Sequence, residues 1–349
     1  MILGSERVGQ AIDRGQFGWF VKERLVTSGD EPLALTRKRL PPESLDGDRY
    51  RGAVLLVHGY GQNRYAWHLP KRSFVNYLAA RGFDVFNLEL SGHGRSRKLG
   101  ADVALSIDTH VCHDVPAALD EVAAISGRER VFVVAHSMGA LVACAAAGRD
   151  PRRFAGLVAI AVPYRFGRGS PALTWAARAA ELASRAGLDR VHAARIPVRA
   201  IGAWMHRARR AWDNSWVPLP VRAWHPGAYE PELLWDYLNT SFDVASLGTT
   251  LQLARISVHD AFRSADGSED YGAAFERQNV PLLVIAGARD RLAPPESVRP
   301  LFDRSHAVDR TWHLLPFGHS DLLLGKRAPE RSWPVMETWL RDRAEQFSG

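Results

Sequence analysis

Continuous apolar runs, separated by segments with helical spacing, are the most regular feature of this chain. The apolar runs occupy residues 53–57, 131–135 and 157–162, and residues 83–90 read as a further strand. A strand that is buried on both faces reads as a continuous apolar run, because neither face meets water. The intervening segments with helical character are 73–80, 107–126 and 140–147. The alternation of strand and helix predicts a parallel sheet with helices on both faces.

The pattern differs before and after this series. Residues 20–27 and 33–40 read as two strands joined by a Ser-Gly-Asp-Glu-Pro turn. The alternation stops after Pro163. It resumes with two strands and an amphipathic helix, at residues 281–286, 311–315 and 333–344.

The interruption predicts three parts of the chain. Residues 1–163 and 280–349 form the N-terminal and C-terminal parts of one α/β core, and residues 164–279 form an inserted helical cap. The insertion is rich in Ala and Arg and holds six of the 11 Trp residues. Helices are predicted at 172–186 and 196–212. We expect the cap to line an apolar pocket, and a mobile lid that meets lipid is the alternative.

The composition is that of a folded protein, with 46% hydrophobic and 24% charged residues. The net charge of +7 comes mostly from arginine. A general arginine bias of the source genome is the simpler explanation of this charge, and attraction to an anionic surface is the alternative. Long runs of basic residues are missing from the sequence, so a nucleic-acid partner is not expected.

The sequence also lacks secretory and membrane-spanning patterns. The N-terminus has no charged region followed by an apolar one, and no stretch reaches the roughly 20 apolar residues of a spanning helix. We therefore expect a cytoplasmic protein, and peripheral membrane contact through the cap stays open. The two cysteines, Cys112 and Cys144, make no disulfide framework, and Cys144 is expected to be a buried free thiol.

The candidate nucleophile is Ser137 in Val-Val-Ala-His-Ser-Met-Gly, between a buried strand and an alanine-rich helix. A serine hydroxyl needs a base to take its proton and a third group to orient that base. A serine on a sharp strand-to-helix turn is typical of Gly-x-Ser-x-Gly nucleophiles. Ala135 stands where the first glycine is usual, and alanine is the smallest departure from it. A serine in an ordinary tight turn is the alternative interpretation.

The base and the acid are expected after the serine in the chain, each following a later strand. His319 in Pro-Phe-Gly-His-Ser follows the last predicted strand and is the candidate base. Asp290 in Ala-Gly-Ala-Arg-Asp follows the strand before it and is the candidate acid. Asp309 and Asp321 are the rivals for the acid role, and Asp321 lies two residues from the histidine.

A tetrahedral intermediate needs two backbone N–H donors aimed at its oxyanion. One candidate donor is the N–H of Met138, next to the serine. The other is the N–H of Tyr60 in His-Gly-Tyr-Gly, where glycines let the loop turn toward the serine. His58, at the start of that motif, is interpreted as a residue that braces the loop.

Five motifs together resemble the α/β-hydrolase superfamily: Leu-Leu-Val-His-Gly-Tyr-Gly, Asn-Leu-Glu-Leu-Ser-Gly-His-Gly-Arg-Ser, Ala-His-Ser-Met-Gly, Ala-Gly-Ala-Arg-Asp and Pro-Phe-Gly-His-Ser. They occur in the family's order and cover the predicted core but not the cap. The resemblance implies an α/β-hydrolase fold with a mostly parallel central sheet. Some motifs are similar to those of monoacylglycerol lipases and bacterial esterases. Other segments are similar to acid lipases and to hydrolases related to polyhydroxyalkanoate synthases.

The serine narrows the chemistry that the resemblance implies. Epoxide hydrolases and haloalkane dehalogenases carry Asp at the nucleophile position, and polyhydroxyalkanoate synthases carry Cys. We therefore expect hydrolysis of a small-molecule carboxylic ester with an apolar acyl chain, through an acyl-serine intermediate and without a cofactor or metal. Acyl transfer and cleavage of a thioester or amide use the same triad and stay as alternatives. A non-catalytic binding protein of this fold is a further alternative.

Overall fold

A nine-stranded sheet lies at the centre of the described part of the chain. The computed structural model describes residues 1–29, 31–45, 50–217, 219 and 221–346. In chain order the strands are β1 (Ile2–Asp13), β2 (Gln16–Val26), β3 (Ala34–Arg39), β4 (Ala53–Val57), β5 (Asp84–Glu89), β6 (Val131–His136), β7 (Phe154–Ile160), β8 (Leu282–Gly287) and β9 (Arg310–Leu315). Their order across the sheet is β1-β2-β3-β5-β4-β6-β7-β8-β9.

Strand direction divides the sheet into two regions. The pairs β1–β2, β2–β3 and β3–β5 are antiparallel, and every pair from β5 to β9 is parallel. Strands β4 and β6 lie in the middle, and all of their residues are buried. This burial explains their continuous apolar sequence. The prediction of a mostly parallel sheet is confirmed.

The first strand is absent from the sequence prediction. β1 pairs with β2 along most of its length and forms an antiparallel ribbon at the edge of the sheet. Half of the β1 residues are exposed and only Ala11 and Ile12 are buried, so burial imposes no alternating apolar pattern on this strand. The predicted hairpin of β2 and β3 is present, although its turn includes Asp30, which lies outside the described residues.

Ten helices of six or more residues surround the sheet in the described ranges. They are α1 (Phe74–Ala79), α2 (Val115–Ser126), α3 (Met138–Arg149), α4 (Pro171–Arg185), α5 (Val198–Arg207), α6 (Pro231–Thr240), α7 (Leu247–His259), α8 (Tyr271–Glu276), α9 (Pro295–Arg304) and α10 (Ala328–Gln346). Shorter helical turns lie at Gly94–Lys98, Ile107–Thr109, Arg209–Trp212 and Asp321–Leu324. Helices α1 and α10 pack through Phe74, Tyr77 and Trp333, and α2 packs on α3.

The helix predicted at residues 107–126 is interrupted. A π-helical turn at His110–Asp114 separates its first turn from α2. The His110 ring bonds the buried Asp114 carboxylate at 2.6 Å, and that carboxylate also accepts the N–H of Ser91. These buried polar contacts reach a loop that follows β5. The apolar spacing of residues 107–126 does not predict them.

The long connection between β7 and β8 contains α4 to α8. Helix α4 packs on α7, and α5 packs on α6. The single helix predicted at 196–212 is two helices, because α5 ends at Arg207 and a second turn begins at Arg209. Helices α6 and α7 were not predicted.

An ion pair ties this connection to the core. Arg72 donates to both carboxylate oxygens of Glu230, at 2.9 and 3.0 Å, and Glu230 is the residue before α6.

Cys112 and Cys144 are free thiols, and Cys144 is buried as predicted. None of the helices in the described ranges is long and apolar enough to span a membrane.

Candidate active site

Ser137 occupies a one-residue turn between β6 and α3. Its backbone has φ 56° and ψ −125°, in a region that side chains other than glycine rarely adopt. Such a conformation costs on the order of 1–3 kcal/mol and persists only where neighbours hold it. The Ser137 N–H donates to the carbonyl of Ile160 in β7, at 2.9 Å. This bond ties the strained turn to the next strand.

Gly139 and Ala135, the small residues near Ser137, meet different steric constraints. A Cβ at Gly139 would lie 2.3 Å from the His58 carbonyl oxygen and 2.8 Å from that of Val57, so the backbones meet there. Glycine is therefore required at the second position of the motif. Ala135 lies inside β6, between Val57 and Ala159 of the adjacent strands, and is fully buried. An alanine methyl group fits this strand position.

The structure brings Ser137, His319 and Asp290 into one hydrogen-bonded chain. Asp290 follows β8, and His319 lies in the loop after β9. His319 Nε2 lies 3.0 Å from Ser137 Oγ, and His319 Nδ1 lies 2.7 Å from Asp290 Oδ2. With Nδ1–H donating to the carboxylate, Nε2 is the atom that accepts the serine proton.

Backbone amides hold the Asp290 carboxylate in place. Asp290 Oδ1 accepts the N–H groups of Leu292 and Ala293, both at 2.8 Å. The Asp290 side chain has no exposed surface. A buried carboxylate with both oxygens bonded is fixed in orientation, so it also fixes the imidazole ring.

The two rival acids lie elsewhere. Asp309 pairs with Arg343, whose Nε lies 2.7 Å from Asp309 Oδ2. Asp321 accepts the N–H groups of Gly318 and His225, at 2.8 and 3.2 Å. Asp321 thus joins the loop that carries the histidine to the connection that precedes α6. Its bonds are to backbone, and the imidazole ring is oriented by Asp290.

We expect Asp321 to make protein stability depend on pH. Burial raises the pKa of Asp321 to about 6, against the lowering effect of the Gly318 and His225 N–H groups. The folded state therefore keeps the proton to higher pH than the unfolded chain does, so this group disfavours folding as pH rises. From about pH 4.5 to 7.5 the contribution changes by about 2 kcal/mol.

Urea unfolding of the wild type and Asp321→Asn at the two pH values measures this contribution. The amide does not titrate, so the unfolding free energy of the variant should rise relative to wild type as pH rises. A difference between the two proteins that stays constant with pH would contradict the raised pKa.

The loop after β4 faces the serine from the other side. A Cβ at Gly59 would lie 3.1 Å from the Ser137 Cβ. The Gly59 N–H donates to Gln62 Oε1 at 3.1 Å, and Gln62 Nε2 donates to the Tyr237 hydroxyl at 2.7 Å. Within the described ranges, the N–H groups of Tyr60 and Met138 have no protein acceptor. Both residues line the same cavity as Ser137.

Several buried histidines surround this arrangement. His58 bonds the Gly59 carbonyl at 3.0 Å and accepts the Leu90 N–H at 3.2 Å, which is the bracing position that we predicted. His136 was not singled out from the sequence. Its ring centroid lies 4.6 Å from that of His319, and its Nε2 lies 3.3 Å from the His319 carbonyl oxygen. Burial holds the pKa of His136 well below its usual value, so this neighbour is neutral.

An apolar cavity of about 410 Å³ opens onto Ser137 and His319. This volume is in the usual range for small-molecule sites, about 300–1,000 Å³. Helices α4 and α5 supply much of the wall, through Leu173, Ala177, Ala180, Val198, Ile201 and Met205. Polar groups of the wall belong to Gln62, Tyr237 and Thr250. Trp212 also lines the cavity, whereas Trp175, Trp204, Trp216 and Trp235 are exposed.

Comparison with known families supports the fold. The family described as alpha/beta hydrolase fold matches residues 52–326. A monoacylglycerol lipase from Paleococcus ferrophilus aligns with a TM-score of 0.61 at 19% identity, over 89% of this chain and 99% of that one. At this identity the similarity concerns the fold alone.

Curated relatives match over different lengths. Epoxide hydrolase B of Mycobacterium tuberculosis is 38% identical over 35% of this chain and 32% of its own length. The chain therefore matches about a third of the length of that relative. A poly(3-hydroxyalkanoate) polymerase subunit of Haloferax mediterranei is 24% identical over 97% of this chain and 69% of its own length.

Proposed function

The chain belongs to the alpha/beta hydrolase fold family, and on that premise we propose that it is a serine hydrolase that cleaves carboxylic esters with an apolar acyl chain. The observation that carries the proposal is the hydrogen-bonded chain of Ser137, His319 and Asp290 at the end of an apolar cavity. A base within reach of the hydroxyl, and an acid within reach of the base, are what serine nucleophiles require.

The proposed reaction follows from the hydrogen bonds. His319 Nε2 takes the proton of Ser137 as Oγ attacks the ester carbonyl carbon. Asp290 stabilises the imidazolium that results. The oxyanion accepts hydrogen bonds from the N–H groups of Tyr60 and Met138, which lie on two sides of the serine.

The intermediate then collapses in two stages. The imidazolium of His319 protonates the leaving alcohol, and the acyl group stays on Ser137 as an ester. A water molecule, deprotonated by the same histidine, attacks the acyl-serine carbonyl. Collapse of this second intermediate releases the carboxylic acid and restores the serine hydroxyl.

We also propose that residues 164–279 act as the cap of the core formed by residues 1–163 and 280–349. The cavity lies between the catalytic loops and helices α4 and α5, so the insertion supplies most of the surface that an acyl chain would contact. An apolar wall favours substrates with apolar substituents, because each methylene that it buries contributes about 0.8 kcal/mol to binding.

Other reactions are less well supported by these residues. An epoxide-hydrolase activity, which the name of one relative suggests, would need a carboxylate at the nucleophile position, where this chain has Ser137. The name of the polymerase relative suggests acyl transfer, and a thioester or amide could also enter the cavity. The apolar cavity wall favours a substrate whose non-reacting part is hydrocarbon.

A chain-length series of nitrophenyl esters tests the substrate proposal. Each methylene that enters the cavity should raise kcat/KM by up to about fourfold, until the chain reaches the end of the cavity. Longer chains should then give a plateau or a decline. Fastest turnover of the acetate ester, or no turnover of any ester, would refute the proposal.

Two variants in which an alanine of α4 is replaced by leucine test whether the cavity sets the preferred acyl-chain length. Ala177 is buried and lines it, so Ala177→Leu should move the optimum to shorter chains. Ala179 lies on the same helix but is exposed, so Ala179→Leu should leave the optimum unchanged. An equal shift in both variants would mean that α4 does not form the acyl site.

A further inference from the structure

The net charge of the chain is confined to one segment. Residues 164–220 hold ten arginines and three acidic residues, which is a net charge of +7. The rest of the chain holds 35 basic and 35 acidic residues and is neutral. A general arginine bias would spread the excess along the chain. A general arginine bias alone therefore does not predict where the excess concentrates.

Four arginines of this segment point to solvent. Arg178, Arg199, Arg207 and Arg210 are exposed, and none has a carboxylate within 4.0 Å among the side chains that the structure describes. Two buried arginines of the core, Arg37 and Arg72, by contrast each bond two carboxylates. Unpaired cations repel one another, so their concentration in one segment costs stability unless an anion meets them.

Large apolar side chains share the same helices. Trp175 and Leu182 of α4 are each 71% exposed, and Trp204 of α5 is 57% exposed. Trp216, shortly after α5, is 91% exposed. A tryptophan ring with its polar N–H suits a boundary between water and hydrocarbon. Exposed tryptophans beside unpaired arginines match the composition of helices that lie in a membrane interface.

The cavity reaches the surface on this side of the molecule. Ala176 and Ile201 line the cavity and are also exposed, so they lie where it meets solvent. Ala176 adjoins Trp175 on α4, and Ile201 lies one helical turn from Trp204 on α5. An acyl chain that leaves a bilayer here would enter the cavity without crossing water.

We propose that this surface docks the protein on anionic membranes. The docking surface consists of the arginines Arg178, Arg199, Arg207 and Arg210 with Trp175, Leu182, Trp204 and Trp216. The arginines meet lipid phosphates, and the aromatic rings enter the boundary between headgroups and acyl chains. A nucleic acid would also attract arginines, but the exposed apolar residues and the apolar cavity opening beside them favour a lipid surface.

Vesicle sedimentation tests the docking surface separately from catalysis. Ser137→Ala is used throughout, so that lipid turnover does not alter the vesicles and the result does not depend on the proposed reaction. The protein should bind vesicles in which about one third of the phosphatidylcholine is replaced by phosphatidylglycerol, and it should lose most of this binding at high salt. Absence of binding to these vesicles at low salt would overturn the proposal.

Two triple variants with the same change in charge show whether vesicle binding depends on the docking surface or only on the net charge of the protein. Changing Arg199, Arg207 and Arg210 to Gln should weaken binding by about 100-fold, because each basic residue near an anionic surface contributes about fivefold. Changing three exposed arginines outside residues 164–220, Arg24, Arg277 and Arg331, should weaken it by less than about fivefold. Equal losses in the two triples would overturn the docking surface.

Trp175→Ala distinguishes a lipid partner from a nucleic acid. Trp175 is mostly exposed, so its replacement should leave circular dichroism and the unfolding midpoint unchanged. Binding to anionic vesicles should fall by about tenfold with the loss of a buried ring. Binding to duplex DNA that is stronger than vesicle binding, together with no effect of Trp175→Ala on the vesicles, would identify a polyanion site instead.

Discussion

Replacing Ser137 by alanine should lower kcat for ester hydrolysis by about 10⁵–10⁶-fold and abolish labelling by a fluorophosphonate probe. The Ser137 oxygen is the atom that His319 Nε2 approaches, at 3.0 Å, and alanine removes that atom. The cavity and the N–H groups of Tyr60 and Met138 are left in place. Substrate binding should therefore persist, and the loss should appear in kcat rather than in KM.

The probe experiment has a matched control. Ser5 lies on β1 and is exposed, so Ser5→Ala should label at the wild-type rate. Alanine at position 137 relieves no backbone strain, because it also has a Cβ at positive φ. Stability should thus be similar in all three proteins. Equal labelling of wild type and Ser137→Ala would refute the assignment of the nucleophile.

The parts of the fold that could be predicted are those in which burial fixes the sequence. Strand β4 begins and ends at the predicted residues, 53–57, because a strand covered on both faces has only apolar positions. Strand β1 escaped prediction because it lies at the exposed edge of the sheet. Helices α6 and α7 escaped for a related reason, since they form within a connection whose packing partners are distant in the sequence.

The candidate site was predictable where topology alone places residues. Parallel strands end at the same edge of the sheet, so residues that follow β6, β8 and β9 meet there. Ser137, Asp290 and His319 each follow one of these strands. Order along the chain thus became proximity in space, and the structure brings the three predicted side chains within hydrogen-bond distance.

Contacts that depend on the insertion could not be predicted. Gln62 is held by Tyr237 of α6, across 175 positions of sequence, and no local pattern relates the two. The orientation of the tryptophans is a similar case. A single helix over the predicted residues 196–212 would put Ile201, Trp204 and Trp212 on one face, but α5 ends between the two tryptophans. Trp212 therefore lines the cavity while Trp204 faces solvent.

Changing Asp290 to asparagine should lower kcat by about 10⁴-fold, although the two side chains have nearly the same shape. Asp290 Oδ1 accepts two backbone N–H groups, so the amide oxygen of asparagine must remain there. The amide nitrogen then faces His319 Nδ1 and donates to it. This contact forces the proton of the imidazole onto Nε2, where it blocks transfer from Ser137.

Asp309→Asn and Asp321→Asn complete the experiment with the same chemical change at the two rival positions. Asp309 bonds Arg343 and lies beside the first residue of β8, whereas Asp290 follows the last residue of that strand. The Asp309 variant should therefore hydrolyse esters within about twofold of wild type. Asp321 holds the backbone beside His319, so its loss should change kcat by much less than the loss of Asp290. If Asp290→Asn kept the wild-type rate while either rival lost activity, the acid role would belong to that rival. Because the three substitutions are isosteric, a difference among them reports the proton position on one imidazole ring rather than the volume of a side chain.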